Sequence, residues 1–292
     1  MMEFDILYKK YLDYFNSALE DAFSGLDLDS PSTLISGMKY AVTDGGKRVR
    51  PILCLATAEM LGVDLSEVKN YAVAIECIHS YSLVHDDLPS MDNDDYRRGK
   101  LSTHKKFGEA NGILIGDALL NFAFELCLQP EFYNKNHADA RRIIADFSGY
   151  RGMIKGQVLD LENEKNSNPT EEILYSIYKN KTGKLLTAPL LVSSAVSGGK
   201  YDELLEKFGY NLGALFQITD DIMDEEGSLD SIGKTPHKDK EADKLTAIKI
   251  FGLDGAKERA KHHYNECVAC LNRIPNSEFL LAFTDKIYKR KK

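Results

Sequence analysis

Hydrophobic residues recur at intervals of three and four along almost the whole chain, which is the pattern of amphipathic α-helices. The first such stretch covers residues 3–23, and its apolar stripe consists of Phe4, Leu7, Tyr8, Tyr11, Leu12, Phe15 and Leu19. The pattern predicts no strands, because no stretch alternates β-branched and polar residues between hairpin turns. At 292 residues the chain is long enough for one large core. We therefore expect a single all-α domain over residues 1–292.

Turn-forming residues divide this pattern into further helices. Ser30 and Pro31 are typical of a helix N-terminus, and Pro51 opens another helix after a glycine-containing turn. Later helices are predicted over residues 66–88, 105–128, 136–162, 170–197 and 200–226. The helix at 105–128 carries several small residues, which let helices pack closely in a core or a subunit interface: Gly108, Ala110, Gly112, Gly116 and Ala118.

The polar residues that interrupt the pattern include a dense aspartate cluster. It follows the helix at 66–88 and precedes Arg97 and Arg98, and its members are Asp86, Asp87, Asp92, Asp94 and Asp95. Carboxylates this close repel one another, so they need either solvent or a cation between them. An isolated run of this kind is more often a solvated loop. If it binds a metal, oxygen donors favour Mg²⁺, which fills its remaining positions with water and substrate phosphates.

A second cluster favours the metal interpretation over the solvated loop. It consists of Asp220, Asp221 and Asp224, and the four-residue spacing of the first and last places both on one helical face. In the first cluster, Asp86 and Asp92 are separated by about 240° around an ideal helix, so they cannot share a face there. Pro89 would break that helix and let Asp92 swing back. We expect the two clusters to form two walls of one site.

A basic turn near the N-terminus suits a diphosphate. Lys47, Arg48 and Arg50 follow two glycines and lie beside a helix start. Arginine binds phosphate oxygens through two parallel donors, and lysine adds a point charge. Without the other motifs, a solvated basic turn would be an equal alternative.

These residues resemble the trans-isoprenyl diphosphate synthases. The two clusters match the family's aspartate-rich motifs, Asp-Asp-x-x-x-x-Asp and Asp-Asp-x-x-Asp, and the longer first motif is similar to that of the bacterial farnesyl diphosphate synthase branch. Other motifs follow in the family's order: Gly45-Gly-Lys-Arg-Val-Arg-Pro51, Gly156-Gln157 with Asp160, Lys181-Thr-Gly183, Phe216-Gln217, and Gly233-Lys234 followed by Asp239 and Lys244. The resemblance covers nearly the whole chain. It implies a helical bundle of the isoprenoid synthase type around a central cavity, and a homodimer.

The resemblance also implies roles for individual residues. The ligands of Mg²⁺, with three ions per active site, would be Asp86, Asp87, Asp92, Asp220, Asp221 and Asp224. Isopentenyl diphosphate would be held by Lys47, Arg50, His79 and Arg98. The allylic substrate would be bound by Arg97, Lys181, Lys234, Lys244 and Phe216. A C-terminal Arg-x-Lys closes over the isopentenyl site in the family, and Arg290 and Lys292 match it. His237 and Ala247 depart from the usual Gly and Tyr, which affects the expected loop geometry.

The implied reaction is ionisation of an allylic diphosphate, followed by attack of the isopentenyl double bond on the carbocation. Oxygens of Lys181, Thr182 and Gln217 would stabilise that cation. Ser82 lies one turn below Asp86, and Tyr81 lies about 7.5 Å below it at ~1.5 Å per residue. The bulky Tyr81 is therefore predicted to form the floor that stops growth at the fifteen-carbon product, farnesyl diphosphate; its alternative role is packing.

Composition narrows the partners and the location. The chain has 45 acidic and 37 basic residues and a net charge of −8, which argues against nucleic acid as the main partner. The apolar run from Ile113 to Leu128 contains Asp117 and Glu125, so we expect no membrane span. The N-terminus lacks the features of a signal peptide, which predicts a cytoplasmic protein. Five cysteines then suggest reduced thiols, and Cys267 and Cys270 favour helix packing over a zinc or redox site.

Four other functions remain open. Geranylgeranyl or geranyl diphosphate synthesis would keep the same motifs with another product length. An HD-type metal phosphohydrolase could use His79, His85 and Asp86, but it leaves the second cluster without a role. A terpene cyclase would not need Lys47 and Arg50. A regulatory subunit of an active synthase could lose its aspartates, whereas here all are present.

Overall fold

The computed structural model describes residues 2–26, 29–43, 45–129, 134–164, 166–226 and 244–290. Its helices and strands are, in chain order, α1 (Met2–Ser24), α2 (Ser32–Thr43), α3 (Val49–Met60), α4 (Leu65–Asp86), β1 (Tyr96–Arg97), β2 (Lys100–Leu101), α5 (Thr103–Phe107), α6 (Glu109–Cys127), α7 (Lys135–Ser148), α8 (Met153–Glu162), α9 (Glu171–Ile177), a π-helical segment (Tyr178–Gly183), α10 (Lys184–Val196), α11 (Asp202–Glu226), α12 (Ala247–Leu271) and α13 (Glu278–Tyr288). The prediction of an all-α fold is confirmed.

Side-chain caps start several of these helices. Asp64 precedes α4 and accepts a hydrogen bond from the Ser66 backbone N–H at 2.8 Å. Thr170 accepts from the Ile173 N–H before α9, and Thr246 accepts from the Lys249 N–H before α12, both at 3.2 Å. Each cap satisfies a donor that the first helical turn leaves without a partner, so the start of the helix is encoded locally.

Two predicted helices are interrupted in the structure. The prediction of one helix over 105–128 is wrong, because Gly108 adopts φ 89° and separates α5 from α6. The prediction of one helix over 136–162 is wrong as well, because the chain turns at residues 149–152. A Cβ atom at Gly152 would lie 2.0 Å from the carbonyl oxygen of Phe147, so this turn requires glycine. Periodicity continues through both breaks and does not reveal them.

A short β-hairpin that the sequence pattern did not predict follows the first aspartate cluster. Strands β1 and β2 are antiparallel and pair Tyr96 with Leu101 and Arg97 with Lys100. Arg98 and Gly99 form the two-residue turn with φ 53° and 79°, as a type I′ turn requires. With two residues per strand, the hairpin is too short to show an alternating pattern. It places Arg97 and Arg98 next to the end of α4.

The core is organised around α4 and α10. All residues of α10 from Leu185 to Val196 are buried, and the middle of α4 is buried on every side. Helices α3, α4, α7 and α11 pack on α10, whereas α1, α2, α3 and α6 pack on α4. Helix α4 ends in the first cluster, and α11 carries the second. The packing of both helices on α10 therefore determines where the aspartates lie.

Helix α6 is long and apolar enough to cross a membrane by length and composition alone, with a mean hydropathy of 1.3. One face of it packs against α4 and buries Ile115, Leu119 and Ala123. Its hydropathy is therefore accounted for by this packing. The opposite face leaves Ile113 and Leu114 exposed by 47% and 57%.

Candidate active site

The first wall of the site is the C-terminal end of α4 and the loop that folds back over it. The helix ends at Asp86, three residues before Pro89, and the Asp92 backbone N–H donates to the Asp86 carbonyl at 2.8 Å. Asp92 therefore returns toward the helix end, as the position of Pro89 predicts. Burial raises the pKa of Asp86 to about 6; Asp92 and Asp87 add to the shift, while Lys181 and Arg97 oppose it. A carboxylate that is costly to ionise here would gain from a nearby divalent cation.

Asp87 faces a different partner from Asp86. Its side chain is 3% exposed and accepts from Arg97 Nε at 3.0 and 3.2 Å, with a further contact from the second guanidinium nitrogen. Asp94 lies 3.6 Å from the same guanidinium. Arg97 thus joins the hairpin to the end of α4, and the bidentate pair fixes the orientation of both side chains.

A cationic pocket lies beside this wall. His79 is partly buried, and its pKa is well below the ordinary value because burial and then Arg50, Arg98, Arg97 and Arg48 disfavour a positive ring. The Nε atom of Arg50 is buried and has no hydrogen-bond partner among the described residues. Burial lowers the pKa of Arg50 to about 10. A buried guanidinium donor without an acceptor is a suitable contact for an anion.

The turn at residues 45–50 shapes the same pocket. Arg98 donates to the Gly45 carbonyl at 2.8 Å, and a Cβ atom at Gly46 would lie 2.8 Å from its guanidinium carbon. Arg48 is buried and pairs with buried Glu76 at 2.8 Å. Of the three cations in this turn, Arg48 therefore has a structural role, while Lys47 and Arg50 remain available for a ligand.

The second wall contains the π-helical segment with Lys181 and Thr182. A Cβ atom at Gly156 of α8 would lie 2.0 Å from the Lys181 backbone nitrogen, and one at Gly213 of α11 would lie 2.5 Å from the Cα atom of Gly183. The segment is thus held between two helices that approach through glycine. Lys181 Nζ lies 2.5 Å from Asp160. Gly156 and Asp160 are four residues apart and so lie on the same face of α8. The first approaches the backbone of Lys181 and the second its side chain.

Hydrogen bonds connect this segment to the second aspartate cluster. The Thr182 hydroxyl donates to the Gln217 carbonyl oxygen at 3.1 Å, and the Gln217 amide donates to Asp221 at 3.2 Å. Asp221 is buried, and it also accepts from the Tyr178 hydroxyl and from the Ala247 backbone N–H. Thr182 and Gln217 are therefore oriented by a chain of contacts that ends on Asp221.

The segment before α12 joins the two walls. Lys244 Nζ lies 3.2 Å from Asp92 of the first cluster, while Ala247 N donates to Asp221 of the second at 2.7 Å. A cavity of about 110 Å³ lies beside Asp221 and Lys244 and is lined by Asp160, Ile177, Tyr178, Lys181, Thr182, Gln217, Asp221, Lys244, Leu245 and Thr246. Lys244 thus links this cavity to Asp92 of the first cluster, while the expectation that both clusters form one metal site stays a prediction.

The end of the chain folds over the same region. Arg290 donates to Asp220 at 2.8 Å, and its guanidinium carbon lies 5.5 Å from the centre of the Phe216 ring. Burial and the positive charge of Arg290 lower the pKa of Lys47. Arg290, Asp220, Phe216 and Lys47 therefore lie together at the mouth of the site.

The side chains predicted to control product length lie below Asp86 on α4. Tyr81 is 5% exposed, and its hydroxyl has no partner among the residues described. Ser82 is partly buried and donates to the His79 carbonyl at 2.9 Å. His85 Nε2 instead contacts the Ile113 carbonyl of α6 at 3.0 Å, which places its imidazole against a neighbouring helix.

Some predicted residues lie outside the described part of the chain. The undescribed residues 227–243 include Lys234, His237 and Asp239, and Lys292 is likewise undescribed. The roles expected for these residues stay predictions. Asp224 is partly buried on α11. Cys267 and Cys270 are buried as free thiols in α12.

The donors fit a magnesium site by chemistry, although they are engaged with the chain's own cations. Within the described ranges, no group of three or more Asp, Glu, His or Cys side chains is arranged to hold a metal. Instead, Asp87, Asp92 and Asp220 pair with Arg97, Lys244 and Arg290. Carboxylate oxygens are the ligands that Mg²⁺ prefers, and the paired cations occupy sites of negative charge that metal ions would otherwise neutralise.

The sequence did not reveal every residue of this site. Tyr178 lies three residues before Lys181, and only the packing of three elements brings it to Asp221. Gly156 carried a weak signal, as part of the motif with Asp160, but its contact with Lys181 depends on the position of α8. The structural role of Arg48 was also hidden, since its partner Glu76 lies 28 residues away.

The chain matches the family model for polyprenyl synthetase over residues 31–277. It is 40% identical over 281 residues to a farnesyl diphosphate synthase of Haemophilus influenzae, covering 94% of this chain and 95% of the relative. A geranylgeranyl pyrophosphate synthase of Arabidopsis thaliana is 43% identical over 248 residues, covering 83% of this chain and 66% of the relative.

Solved structures show the same similarity. A geranyltransferase from Legionella pneumophila superposes with a TM-score of 0.88 at 31% identity, covering 99% of this chain and 98% of that one. A geranyltransferase from Helicobacter pylori, complexed with magnesium and isoprenyl diphosphate, has a TM-score of 0.82 at 31% identity and covers 96% and 94%. The likeness extends over nearly the whole chain.

Proposed function

The chain belongs to the polyprenyl synthetase family, and from that premise we propose that it is a farnesyl diphosphate synthase. The enzyme condenses isopentenyl diphosphate first with dimethylallyl diphosphate and then with geranyl diphosphate. Farnesyl diphosphate synthases from bacteria cover almost the full length of the chain at about 40% identity, which supports this product.

One observation supports the proposal: cationic side chains lie in two separate groups, and each group could bind a diphosphate. The first lies between the aspartate walls, where Lys181 and Lys244 meet Asp160 and Asp92. The second is the cationic pocket of Arg50, His79 and Arg98. A hydrolase or a terpene cyclase needs one diphosphate site, whereas a reaction that joins two diphosphates needs both.

Within this site, ionisation of the allylic substrate depends on neutralising its leaving group. Arg97, Lys181 and Lys244, together with Lys234, would bind the departing diphosphate, and stabilising its charge is the main electrostatic contribution. Oxygens of Lys181, Thr182 and Gln217 would face the resulting allylic cation. The isopentenyl double bond then forms the new carbon–carbon bond, and the proton lost in that step passes to the released diphosphate. No protein nucleophile takes part.

Magnesium is the expected cofactor, with three ions per site. Asp86, Asp92, Asp220 and Asp224 would hold it, and Asp87 and Asp221 are predicted ligands whose carboxylates bind Arg97 and Tyr178 in this structure. When bound, Mg²⁺ supplies positive charge beside the leaving group. Lys244 and Arg290 would have to leave Asp92 and Asp220 as the ions bind, and they would then be available to the diphosphates.

Water must be kept from the cation, and the chain end is placed for this task. Arg290 holds the segment after α13 against Asp220 and Phe216. We propose that this segment, with Lys292, closes over the isopentenyl site. Product length would be set by the buried Tyr81, with Ser82 above it. The protein is expected to act in the cytoplasm as a homodimer, and the exposed side of α6 supplies an apolar surface for that contact.

A product assay tests the function. Purified protein is given Mg²⁺ and labelled isopentenyl diphosphate with dimethylallyl or, separately, geranyl diphosphate, and the dephosphorylated alcohols are separated. A dominant fifteen-carbon alcohol from both primers is the expected result. A twenty-carbon product would instead favour geranylgeranyl diphosphate synthesis, for which the Arabidopsis relative is the supporting observation. Absence of any elongated product from folded protein would overturn the proposal.

A further inference from the structure

Tyr178 lies where three parts of the site meet. It is the first residue of the π-helical segment and is 4% exposed. Its hydroxyl contacts Asp221 of α11 and lies 2.9 Å from the backbone nitrogen of Ala247, at the start of α12. No residue role assigned above involves this hydroxyl. Its two contacts therefore need an explanation of their own.

The direction of each hydrogen bond follows from the donors present. The Ala247 N–H can only donate, and it is shared between the Tyr178 oxygen and Asp221 at 2.9 and 2.7 Å. The hydroxyl proton of Tyr178 must then point at Asp221, which is the acceptor that remains. Burial and the negative charge of Asp221 raise the pKa of Tyr178 well above its ordinary value, so the hydroxyl keeps this proton across the physiological range.

Each of the three connected elements carries part of the proposed machinery. The π-helical segment carries Lys181 and Thr182, three and four residues after Tyr178. Helix α11 carries Gln217 and Asp220, and Asp221 directly follows Asp220. The segment before α12 carries Lys244, three residues before Ala247. The Tyr178 hydroxyl connects its own segment to the other two elements, and it therefore fixes the distances between their functional groups.

We propose that Tyr178 is a positioning residue that orients Asp221 and thereby fixes the magnesium-binding face of α11 relative to Lys181 and Lys244. This inference rests on the proposed prenyl transfer. The role proposed for the hydroxyl is to orient Asp221 and not to bind a substrate. Outer partners of a metal site contribute through the orientation of the groups they hold, and their loss commonly costs about 10- to 100-fold in metal affinity or activity.

The test compares Tyr178→Phe with Tyr175→Phe. Both changes remove only a hydroxyl, and Tyr175 is a matched control because its ring lies 6.3 Å from that of Tyr178 while its hydroxyl contacts His263. We expect Tyr178→Phe to raise the Mg²⁺ concentration for half-maximal rate about tenfold and to lower kcat by a similar factor. The KM for isopentenyl diphosphate should change less than about twofold, because the groups that the Tyr178 hydroxyl contacts, Asp221 and Ala247, are not part of the cationic pocket. The control should leave all three values unchanged.

Two further measurements do not depend on turnover. Calorimetric titration with Mg²⁺ and inorganic diphosphate should show weaker binding to Tyr178→Phe than to the control. Hydrogen exchange in the metal-free protein should be faster across residues 244–251. If prenyl transfer itself is the wrong activity, the wild type will form no elongated product. These two measurements will still show whether the Tyr178 hydroxyl orients Asp221 and the start of α12.

The results that would overturn the proposal are distinct. Equal Mg²⁺ dependence and equal diphosphate binding in both variants would show that the hydroxyl only packs. The same conclusion follows if Tyr178→Phe does not fold while Tyr175→Phe does, because the role would then be structural. A second variant, Asp221→Asn, tests whether Tyr178 acts through Asp221. If it does, the double variant with Tyr178→Phe should bind Mg²⁺ no more weakly than Asp221→Asn alone. Additive losses of Mg²⁺ affinity would contradict that route.

Discussion

His79 shows how the neighbours of one side chain determine its chemistry. On an apolar helical stripe a lone histidine is more often a core residue, and the sequence around it does not reveal its charge. In the structure, burial and several arginines lower its pKa well below the ordinary value. The ring is therefore neutral near pH 7 and can accept or donate a hydrogen bond to a diphosphate without adding charge repulsion to the arginines.

This depressed pKa has a consequence for stability. In the unfolded chain the imidazole of His79 binds a proton at a pKa of about 6.5, whereas in the folded chain it does so only at lower pH. The neutral ring therefore contributes fully to folding stability above about pH 6.5, and this contribution is lost as pH falls toward the folded-state pKa. We expect the free energy of unfolding in urea to fall between about pH 7 and about pH 5 by more in the wild type than in His79→Gln. His262→Gln, an exposed site on α12, is the control. Parallel pH curves for wild type and His79→Gln would contradict the prediction.

Tyr81 shows how one side chain can limit a product. It is buried five residues before the end of α4, and its hydroxyl lacks a partner in the described part of the chain. We predict that Tyr81→Ala forms products longer than fifteen carbons, because it removes the ring that we propose as the floor below Asp86. The change should also cost about 3–5 kcal/mol of stability, as for other large buried aromatic residues. Chromatography of the dephosphorylated alcohols measures the product, and urea unfolding measures the stability.

Tyr81→Phe is the matched variant for this prediction. It keeps the ring and removes only the hydroxyl, so its product should remain the same as in the wild type. An active Tyr81→Ala protein with an unchanged product distribution would remove Tyr81 from its proposed role as the floor.

The π-helical segment shows how an element depends on its neighbours. Its backbone lies so close to α8 that a Cβ atom at Gly156 would be 2.0 Å from the Lys181 nitrogen and 2.4 Å from its Cα atom. Such overlap with backbone cannot be relieved by rotating a side chain. π-helical turns are found mostly at functional sites, and here the turn presents Lys181 to Asp160 and Thr182 to Gln217.

We therefore predict that Gly156→Ala displaces Lys181 and lowers kcat by about tenfold or more, because small displacements of reacting groups are costly. Overpacking should also lower the free energy of unfolding by about 1–3 kcal/mol. Gly25→Ala is the control, since its Cβ atom would approach no atom closer than 3.9 Å. Steady-state rates and urea unfolding measure both effects. Wild-type kcat in Gly156→Ala would show that the segment can move without loss.

The whole molecule brings its distant ends to one site. Lys244 pairs with Asp92 across 152 residues, and Arg290 pairs with Asp220 across 70. These ion pairs are partly buried, and they join the first wall, the second wall and the end of the chain. The arrangement depends on the central helices α4 and α10, because they set the positions of the elements that carry each partner.

The outer side of α6 bears on the expected homodimer. Ile113 and Leu114 are exposed by 47% and 57%, beside a helix face that packs on α4. We predict that Leu114→Asp converts a dimer into a monomer, because an unpaired charge buried in an apolar contact is strongly destabilising. Light scattering after gel filtration gives the mass. The control is Ile6→Asp, which places the same charge at a site that is 63% exposed on α1; a dimer in both variants would place the interface elsewhere.

The sequence by itself determined the helical class, the two aspartate clusters and the return of Asp92 behind Pro89. These features depend on local periodicity, on spacing along one helix and on the geometry of proline, all of which are contained in short stretches. It also predicted which residues would bind magnesium and diphosphate, because the residue types themselves carry that chemistry.

Only the tertiary structure decided which of the neighbouring residues act together. It separated Arg48, which pairs with Glu76 in the core, from Arg50 in the cationic pocket, and it directed Asp87 to Arg97. It also broke the predicted helix at Gly108 and brought Tyr178 to Asp221. Each of these outcomes depends on contacts between elements far apart in the chain, and no pattern within one element carries that information.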